Sequence, residues 1–172
     1  MKHSQINIIR RLFHVLCLAL LIGLTACATG PRMANHAFSF DGYSDNWSTQ
    51  VDLLEYSYGD QYRMVRDKVK PQKERINPAA LVSGTIPVGE FLYVKWRIKA
   101  TGEMREDRVD LRPLLPRNMD NTGLTFVIDD KQLYVYLVTD KPRDHREPQP
   151  LKTFLAKYTI TYEIYPTNTL PR

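Results

Sequence analysis

Residues 91–111 read FLYVKWRIKATGEMREDRVDL and predict a β-hairpin. In the first predicted strand, residues 91–99, apolar side chains occupy every second position, namely Leu92, Val94, Trp96 and Ile98. The positions between them carry the cations Lys95, Arg97 and Lys99. Because successive side chains of a strand point to opposite faces, one face should pack on a core and the other should meet water. We therefore expect Trp96 to be buried beside Val94 and Ile98.

The turn of this hairpin sets the register of its two strands. The four residues ATGE that follow Lys99 supply the turn, and the second strand is predicted over residues 104–111. This register places Lys99 opposite Met104 and Arg97 beside Glu106. An exposed Arg97–Glu106 ion pair contributes only about 0.2 to 1 kcal/mol, so we interpret these charges as a solvated sheet face whose pairing fixes the register.

The segments on either side of the hairpin show the same period of two. Further strands are predicted at residues 37–41, 51–58, 124–128, 132–139 and 157–165. The strand over residues 132–139 is apolar on both faces, which is typical of a covered strand. Residues 112–123 contain two prolines and are expected to connect strands. Six or seven strands without a long amphipathic helix predict a mainly β fold, either an antiparallel β-sandwich or a partly closed barrel of about six to eight strands.

The N-terminal segment has a composition unlike the rest of the chain. It contains the basic residues Lys2, Arg10 and Arg11, has no acidic residue before Asp41, and continues in an apolar run over residues 12–24. This order is typical of a secretory signal peptide, and the run is shorter than the roughly 20 apolar residues that a transmembrane helix needs. We expect residues 1–26 to form a signal-peptide helix that is separate from the mature fold.

The end of the apolar run carries a specific motif. Leu24, Thr25, Ala26 and Cys27 resemble the lipobox of bacterial lipoproteins. The resemblance implies cleavage before Cys27, attachment of a diacylglyceryl group to its thiol and acylation of its new amino group. Several acyl chains anchor a protein stably, whereas a single chain holds it only marginally. No cofactor other than this covalent lipid is expected.

The resemblance also implies a location. Alanine follows the lipidated cysteine, whereas enterobacterial lipoproteins that stay in the inner membrane tend to carry aspartate there. We therefore expect an outer-membrane lipoprotein whose domain faces the periplasm, with exposure at the cell surface as the alternative. Residues 27–35 are expected to form a flexible lipidated tether, and residues 36–172 a single β domain.

Removal of the signal peptide changes both the charge and the cysteine count. The leader holds three of the 24 basic residues and none of the 19 acidic ones, which leaves a formal net charge of +2. Since no nucleic-acid-binding motif is present either, the sequence argues against nucleic acid as a partner. Cys17 leaves with the signal peptide and Cys27 carries lipid, so no thiol remains for catalysis or metal binding. With His36 and His145 as its two histidines, the mature chain is expected to be noncatalytic, without a metal site or a small-molecule substrate.

Two long connections are the candidate surfaces for binding a protein partner. Residues 59–75 have a local charge balance of +3 and contain the candidates Arg63, Arg66, Lys68 and Lys70. Residues 141–152 contain three prolines, whose fixed backbone angle can hold a protruding surface in shape, and the candidates Arg143, His145 and Arg146. Long ordered loops often carry function, so we interpret both as protein-recognition surfaces. The alternative is that both are solvated, variable loops.

A weaker family resemblance extends over most of the mature domain. Its motifs are YSYG at residues 56–59, LYVKWR at 92–97, TGE at 101–103, VDL at 109–111 and QLYVYL at 132–137. These resemble a group of small proteobacterial lipoproteins, some of which are similar to immunity proteins that accompany type VI secretion lipase effectors. The resemblance implies a noncatalytic, membrane-anchored protein that binds another protein. A structural or assembly component of the cell envelope is the alternative, and a hydrolase is a third, although no nucleophile-and-base pattern supports it.

Overall fold

The computed structural model of the protein describes residues 30–60, 66–144 and 151–171, with the backbone alone at Arg66. Within these ranges the strands are β1 (Met33–Asp41), β2 (Val51–Tyr58), β3 (Arg66–Lys68), β4 (Ala79–Pro87), β5 (Phe91–Ile98), β6 (Met104–Asp110), β7 (Gly123–Asp129), β8 (Gln132–Pro142) and β9 (Thr159–Tyr165). Short 3₁₀ helices cover Trp47–Thr49 and Phe154–Lys157. The predicted signal peptide and Cys27 lie outside the described residues. Among the described residues, no helix has the length and apolar character needed to cross a membrane.

The strands form two sheets that pack face to face. One has five strands in the order β4-β1-β7-β8-β9, and the other has four in the order β3-β2-β5-β6. All neighbouring strands are antiparallel except β1 and β7, which run parallel. Aromatic rings join the two inner faces: Phe38 of β1 stacks on Tyr58 of β2 with ring centroids 4.7 Å apart, and Phe40 meets Tyr56 edge to face at 4.8 Å. The fold is therefore the mainly antiparallel β-sandwich, the first of the two predicted architectures.

The hairpin predicted over residues 91–111 is confirmed as β5 and β6. Trp96 is only 1% exposed and lies in the core together with Val94 and Ile98, as expected. Its indole N–H donates a hydrogen bond to the carbonyl oxygen of Asp130 at 2.9 Å, in the turn between β7 and β8 of the opposite sheet. Because a buried indole N–H without an acceptor is costly, this bond also fixes how the two sheets meet at that end of the sandwich.

The register of the hairpin differs from the prediction by two residues. Arg97, rather than Lys99, lies opposite Met104. The loop closes earlier because the carbonyl oxygen of Ile98 accepts a hydrogen bond from the N–H of Gly102 at 2.8 Å. Gly102 has a φ of +73°, a left-handed conformation that glycine adopts without strain. Since a shift of two residues keeps every side chain on its own face, the predicted burial is correct although the predicted pairing is wrong.

Two strands were not predicted, and both lie at sheet edges. β3 falls inside residues that were interpreted as a loop, and β4 has the sequence AALVSGTIP, in which small residues and a glycine obscure any alternation. An edge strand is paired on one side only and shows less of the apolar pattern on which such predictions depend. A smaller difference is at the N-terminus, where β1 begins at Met33 rather than near residue 36. Ala34 is also buried in the core and Met33 pairs with Pro87, so the β domain begins earlier than expected.

β8 is covered on both faces, as its sequence predicts. Tyr136 is fully buried on the face opposite Val135, where residues 151–157 lie over it. The N–H of Lys152 donates to the Tyr136 hydroxyl at 3.3 Å, and the N–H of Phe154 donates to a carboxylate oxygen of Asp45 at 2.6 Å. These bonds hold the segment against the outer face of the five-stranded sheet.

Trp47 is a core residue that the strand pattern does not indicate. It lies in the 3₁₀ turn between β1 and β2, is 1% exposed, and packs against Phe40 and Phe126 with ring centroids 6.3 and 6.0 Å away. Gly42 lies directly against this ring, since a Cβ atom there would come within 2.7 Å of the indole. The residue at position 42 must therefore be glycine for the turn to seat Trp47 as it does.

We expect Gly42→Ala to lower the free energy of unfolding by about 1–3 kcal/mol, because the added methyl group overpacks the Trp47 site. Gly123→Ala is the matched control, since its Cβ atom would meet that of Val138 at an ordinary 3.6 Å and should change stability by less than about 1 kcal/mol. Urea denaturation of both variants measures the difference. Equal stabilities would show that the turn moves away from the ring at little cost.

Candidate functional site

The predicted loop over residues 59–75 folds along the four-stranded sheet in its described part. β3 pairs with β2, with Lys68 opposite Glu55. Beyond β3, the N–H of Val69 donates to the carbonyl oxygen of Leu54 at 2.7 Å, and the N–H of Ile76 donates to that of Leu53 at 3.0 Å. The Leu53 carbonyl group faces away from β5 through the ordinary alternation of the strand, and the β-bulge between Leu53 and Glu55 lets the carbonyl group of Leu54 face the same way. The segment is therefore an extension of the sheet surface.

A row of alternating charges crosses the outer face of this sheet. In strand order its members are Lys68, Glu55, Lys95 and Glu106. The ammonium group of Lys95 lies 3.5 Å from the carboxylate of Glu106, which also accepts a hydrogen bond from the Tyr93 hydroxyl at 2.8 Å. Burial and that hydrogen bond raise the pKa of Tyr93 to about 12, and the same bond, with the charge of Lys95, lowers the pKa of Glu106. Opposite charges on neighbouring strands stabilise this register.

Asp52 gathers three cations at one end of the same face. Its carboxylate is 12% exposed and lies 2.7 Å from Arg97, 3.7 Å from Lys99 and 3.9 Å from Arg75. The hydrogen bond to Asp52 raises the pKa of Arg97. The predicted Arg97–Glu106 pair is therefore wrong: the two-residue shift in the register of β5 and β6 places Glu106 beside Lys95, and Arg97 instead binds Asp52 of β2. Asp52 and Glu74, whose charge also raises the pKa of Arg97, carry two negative charges against three cations, so this end of the face has a small positive net charge.

The cations of this face and of residues 66–76 form one continuous surface, which we call the basic surface. It consists of Lys68, Lys70, Lys73, Arg75, Lys95, Arg97 and Lys99. The sequence analysis treated the loop cations and the sheet cations as separate features. Asp52 and the backbone bonds of Leu53 and Leu54 join them. In the sequence, the joining of these two sets of cations is indicated only by Asp52, a lone aspartate among the apolar residues at the start of β2.

The second predicted loop belongs to the other sheet. Arg143 follows β8, its backbone N–H donates to the carbonyl oxygen of Tyr158 at 3.0 Å, and its guanidinium group donates to that of Ala156 at 3.2 Å. These contacts tie Arg143 to the backbone beside β9, away from the face that carries the basic surface. Three further candidates, Arg63, His145 and Arg146, and the side chain of Arg66 lie outside the described residues.

A shallow cavity of about 250 Å³ opens at the other end of β5 and β6. Its lining residues are Asp60, Glu90, Phe91, Arg108, Asp110 and Arg112. The guanidinium group of Arg108 stacks 3.3 Å above the Phe91 ring, and that of Arg112 binds both carboxylate oxygens of Asp110 at 2.9 and 2.7 Å. The hydrogen bonds from Arg112 lower the pKa of Asp110 to about 2. Three of its charged side chains, Arg108, Asp110 and Arg112, are therefore engaged already, while Asp60 and Glu90 add two more carboxylates to the lining.

His36 is a core residue. Its side chain is 3% exposed, and one ring nitrogen lies 3.1 Å from the carbonyl oxygen of Ala34 while the other lies 2.9 Å from the Tyr58 hydroxyl. The Ala34 carbonyl can only accept, so Nδ1 carries a proton, and the second hydrogen bond joins Nε2 to the Tyr58 hydroxyl. In the part of the chain that the structure describes, no group of three or more histidine, cysteine, aspartate or glutamate side chains could hold a metal ion.

Comparison with protein-family models, with curated proteins and with solved structures finds no match to this chain.

Proposed function

We propose that the mature protein is a lipid-anchored, noncatalytic lipoprotein of the outer membrane that binds another protein through the basic surface. The observation that carries this proposal is the arrangement of Arg75, Arg97 and Lys99 around Asp52, on a face that also carries Lys68 and Lys95. The lipid anchor rests on the lipobox that ends at Cys27.

A rigid sheet face suits this role because little side-chain or backbone freedom is lost when a partner docks. Arg97 and Lys99 are already held by Asp52, and Lys95 by Glu106. The positive end of the face would chiefly accelerate encounter with an acidic partner, and it would do so less at high salt. The partner is therefore a protein whose docking surface carries excess aspartate and glutamate.

In its most specific form, the proposal is that this lipoprotein is an immunity protein that neutralises a type VI secretion lipase effector. An immunity protein of this kind acts by covering the entrance to the active site of the toxin, which needs a membrane-held, preformed surface rather than catalytic groups. The resemblance of the YSYG, LYVKWR and QLYVYL segments supports this form. A role as an assembly component of the envelope would instead give a stable multiprotein complex.

Reversing three exposed cations tests the proposal. We expect Lys68→Glu, Lys70→Glu and Lys73→Glu together to slow association with the partner by about 10-fold or more and to flatten its salt dependence, because the electrostatic attraction is lost. The measurement is the association rate of purified full-length protein with the purified products of adjacent genes, at several salt concentrations. All three residues are exposed, so the core should be unaffected; because reversal at Lys68 places a like charge opposite Glu55, urea denaturation of the variant checks that the fold is retained.

The matched control reverses three exposed cations outside both candidate loops, at Arg117, Lys131 and Lys157. Both triple variants change the net charge equally. A slower association that occurs only in the first variant is therefore caused by the basic surface and not by the total charge of the protein. If both slow association to the same extent, the basic surface is not the docking site. A complex with several envelope proteins, in place of one toxin-like neighbour, would replace the immunity role by the assembly role.

A further inference from the structure

β4 is an edge strand of unusual composition for this protein. Its nine residues include no charged side chain. The three other edge strands of the described sheets all carry charge: β3 is three residues long and every one is charged, β6 has five charged residues out of seven, and β9 contains Glu163. Short length and charge are the usual means by which proteins prevent an edge from pairing with another strand. β4 lacks both.

The backbone of β4 presents unpaired hydrogen-bonding groups along its free side. The N–H of Ala37 donates to the carbonyl oxygen of Thr122, so the odd-numbered residues of β1 face β7 and the even-numbered ones face β4. In an antiparallel pair, alternate residues bond to the neighbour. The even-numbered residues of β4 therefore bond to β1, and those whose N–H and C=O groups point to the free edge are Ala79, Leu81, Ser83 and Thr85. None of these groups has a hydrogen-bond partner among the described residues.

Leu81 lies at the centre of the regular part of this edge. It is 72% exposed, more than any other large apolar side chain of the described residues. Beyond it, Gly84 has a φ of +134° and Pro87 has no N–H, so regular pairing along the free edge is confined to Ala79–Ser83. The small side chains of Ala79 and Ser83 flank Leu81 on the same face and leave room beside it.

We propose that β4 pairs with β4 of a second copy of this chain, antiparallel and with the two-fold axis at Leu81. Leu81 then faces Leu81 of the second copy, and Ala79 faces Ser83 of the second copy. Each of these residues bonds its counterpart through both N–H and C=O, and the two exposed leucines cover each other. Because β4 has no charged residue, the pairing brings no like charges together. The same strand forms the interface on both copies, as a closed two-fold dimer requires.

A cysteine at the axis tests this arrangement in cells. In a hydrogen-bonded antiparallel pair the Cα atoms of Leu81 in the two copies lie about 5.5 Å apart, within the range that a disulfide spans. We expect full-length Leu81→Cys in oxidised cell envelopes to give a covalent dimer on a non-reducing gel, while the wild type, which retains its own cysteines, gives none. Met104→Cys is the matched control, because Met104 is 51% exposed at the start of β6 in the other sheet and should not cross-link.

A charge at the same position provides a second measurement. Leu81→Lys should weaken self-association of the detergent-solubilised full-length protein at least 10-fold by light scattering, whereas Met104→Lys should leave it unchanged. Neither substitution disturbs the core, and circular dichroism checks this. The proposal is overturned if Leu81→Cys cross-links no more than Met104→Cys, if it links to a protein of another size, or if Leu81→Lys self-associates as the wild type does.

Discussion

Cys27→Ser is expected to abolish incorporation of labelled fatty acid and to release the protein from the membrane fraction. The proposed lipidation needs the thiol for the first acyl group, and cleavage of the signal peptide follows that step. The variant should therefore also migrate as the uncleaved precursor. Labelling of growing cells with a fatty-acid analogue, followed by membrane flotation and gel electrophoresis, measures all three effects.

Cys17→Ser is the matched control, since it removes the other cysteine of the chain from within the apolar run. It should leave labelling, cleavage and flotation unchanged. A Cys27→Ser protein that still carries label and floats with membranes would show that the lipobox interpretation is wrong. A Cys17→Ser protein that loses its label would show that the leader, rather than the cysteine at the cleavage point, controls anchoring.

Asp45→Asn is expected to stabilise the protein relative to the wild type by a margin that grows as the pH rises from about 4 to about 7. Burial raises the pKa of Asp45 to about 6 from 3.8, and only one of its oxygens has a hydrogen bond, from the N–H of Phe154. The protonated form therefore stabilises the fold below pH 4, and this stabilisation is lost as the pH rises through 6. Because the side chain is partly exposed, solvent screening makes the change in the margin smaller than the roughly 3 kcal/mol to which the full shift corresponds.

The quantity to measure is how the difference in free energy of unfolding between variant and wild type changes with pH. Its absolute value is less informative, because replacing the carboxyl group by an amide adds a contribution that does not depend on pH. Urea denaturation at intervals between pH 4 and 7 measures this change. Asp41→Asn is the control: burial there is outweighed by hydrogen bonds from Ser44 and Tyr43, which lower the pKa of Asp41. That carboxylate is ionised in the fold throughout the window, so its margin should be negative and should change less with pH than that of Asp45→Asn, because the charge of Asp41 makes only a small contribution to the raised pKa of Asp45. A constant margin for Asp45→Asn would show that burial does not disfavour its charge.

The faces of the strands could be predicted from sequence, but their neighbours could not. The alternation of side chains depends only on neighbouring residues. The burial of Trp96, and of Tyr136 on the outer face of β8, therefore follows from the sequence pattern. The position at which a loop closes depends on one hydrogen bond and one left-handed glycine, and an error of two residues there leaves every face unchanged. The parallel pairing of β1 with β7 joins distant segments, and no local pattern encodes it.

The candidate site shows the same limit more sharply. Asp52 and Glu55 are three residues apart, and a strict period of two would place them on opposite faces. The β-bulge between Leu53 and Glu55 adds one residue, so both carboxylates meet cations of β5 on the outer face. A bulge leaves no mark in composition or spacing. The charges of the loop and of the sheet therefore look unrelated until the chain is folded.

The position of β1 has a consequence for the order in which the molecule is assembled. It is the first strand to be synthesised, yet it lies inside the five-stranded sheet, and Ala37 meets Gly123, a residue that follows 86 positions later. Until that residue has been made, Phe38 and Phe40 have no β7 beside them to complete their cover. The loop between these strands must close before their contacts stabilise the sheet, and this costs more chain entropy than closing a hairpin. The centre of the five-stranded sheet therefore cannot form until the chain has been made through β7.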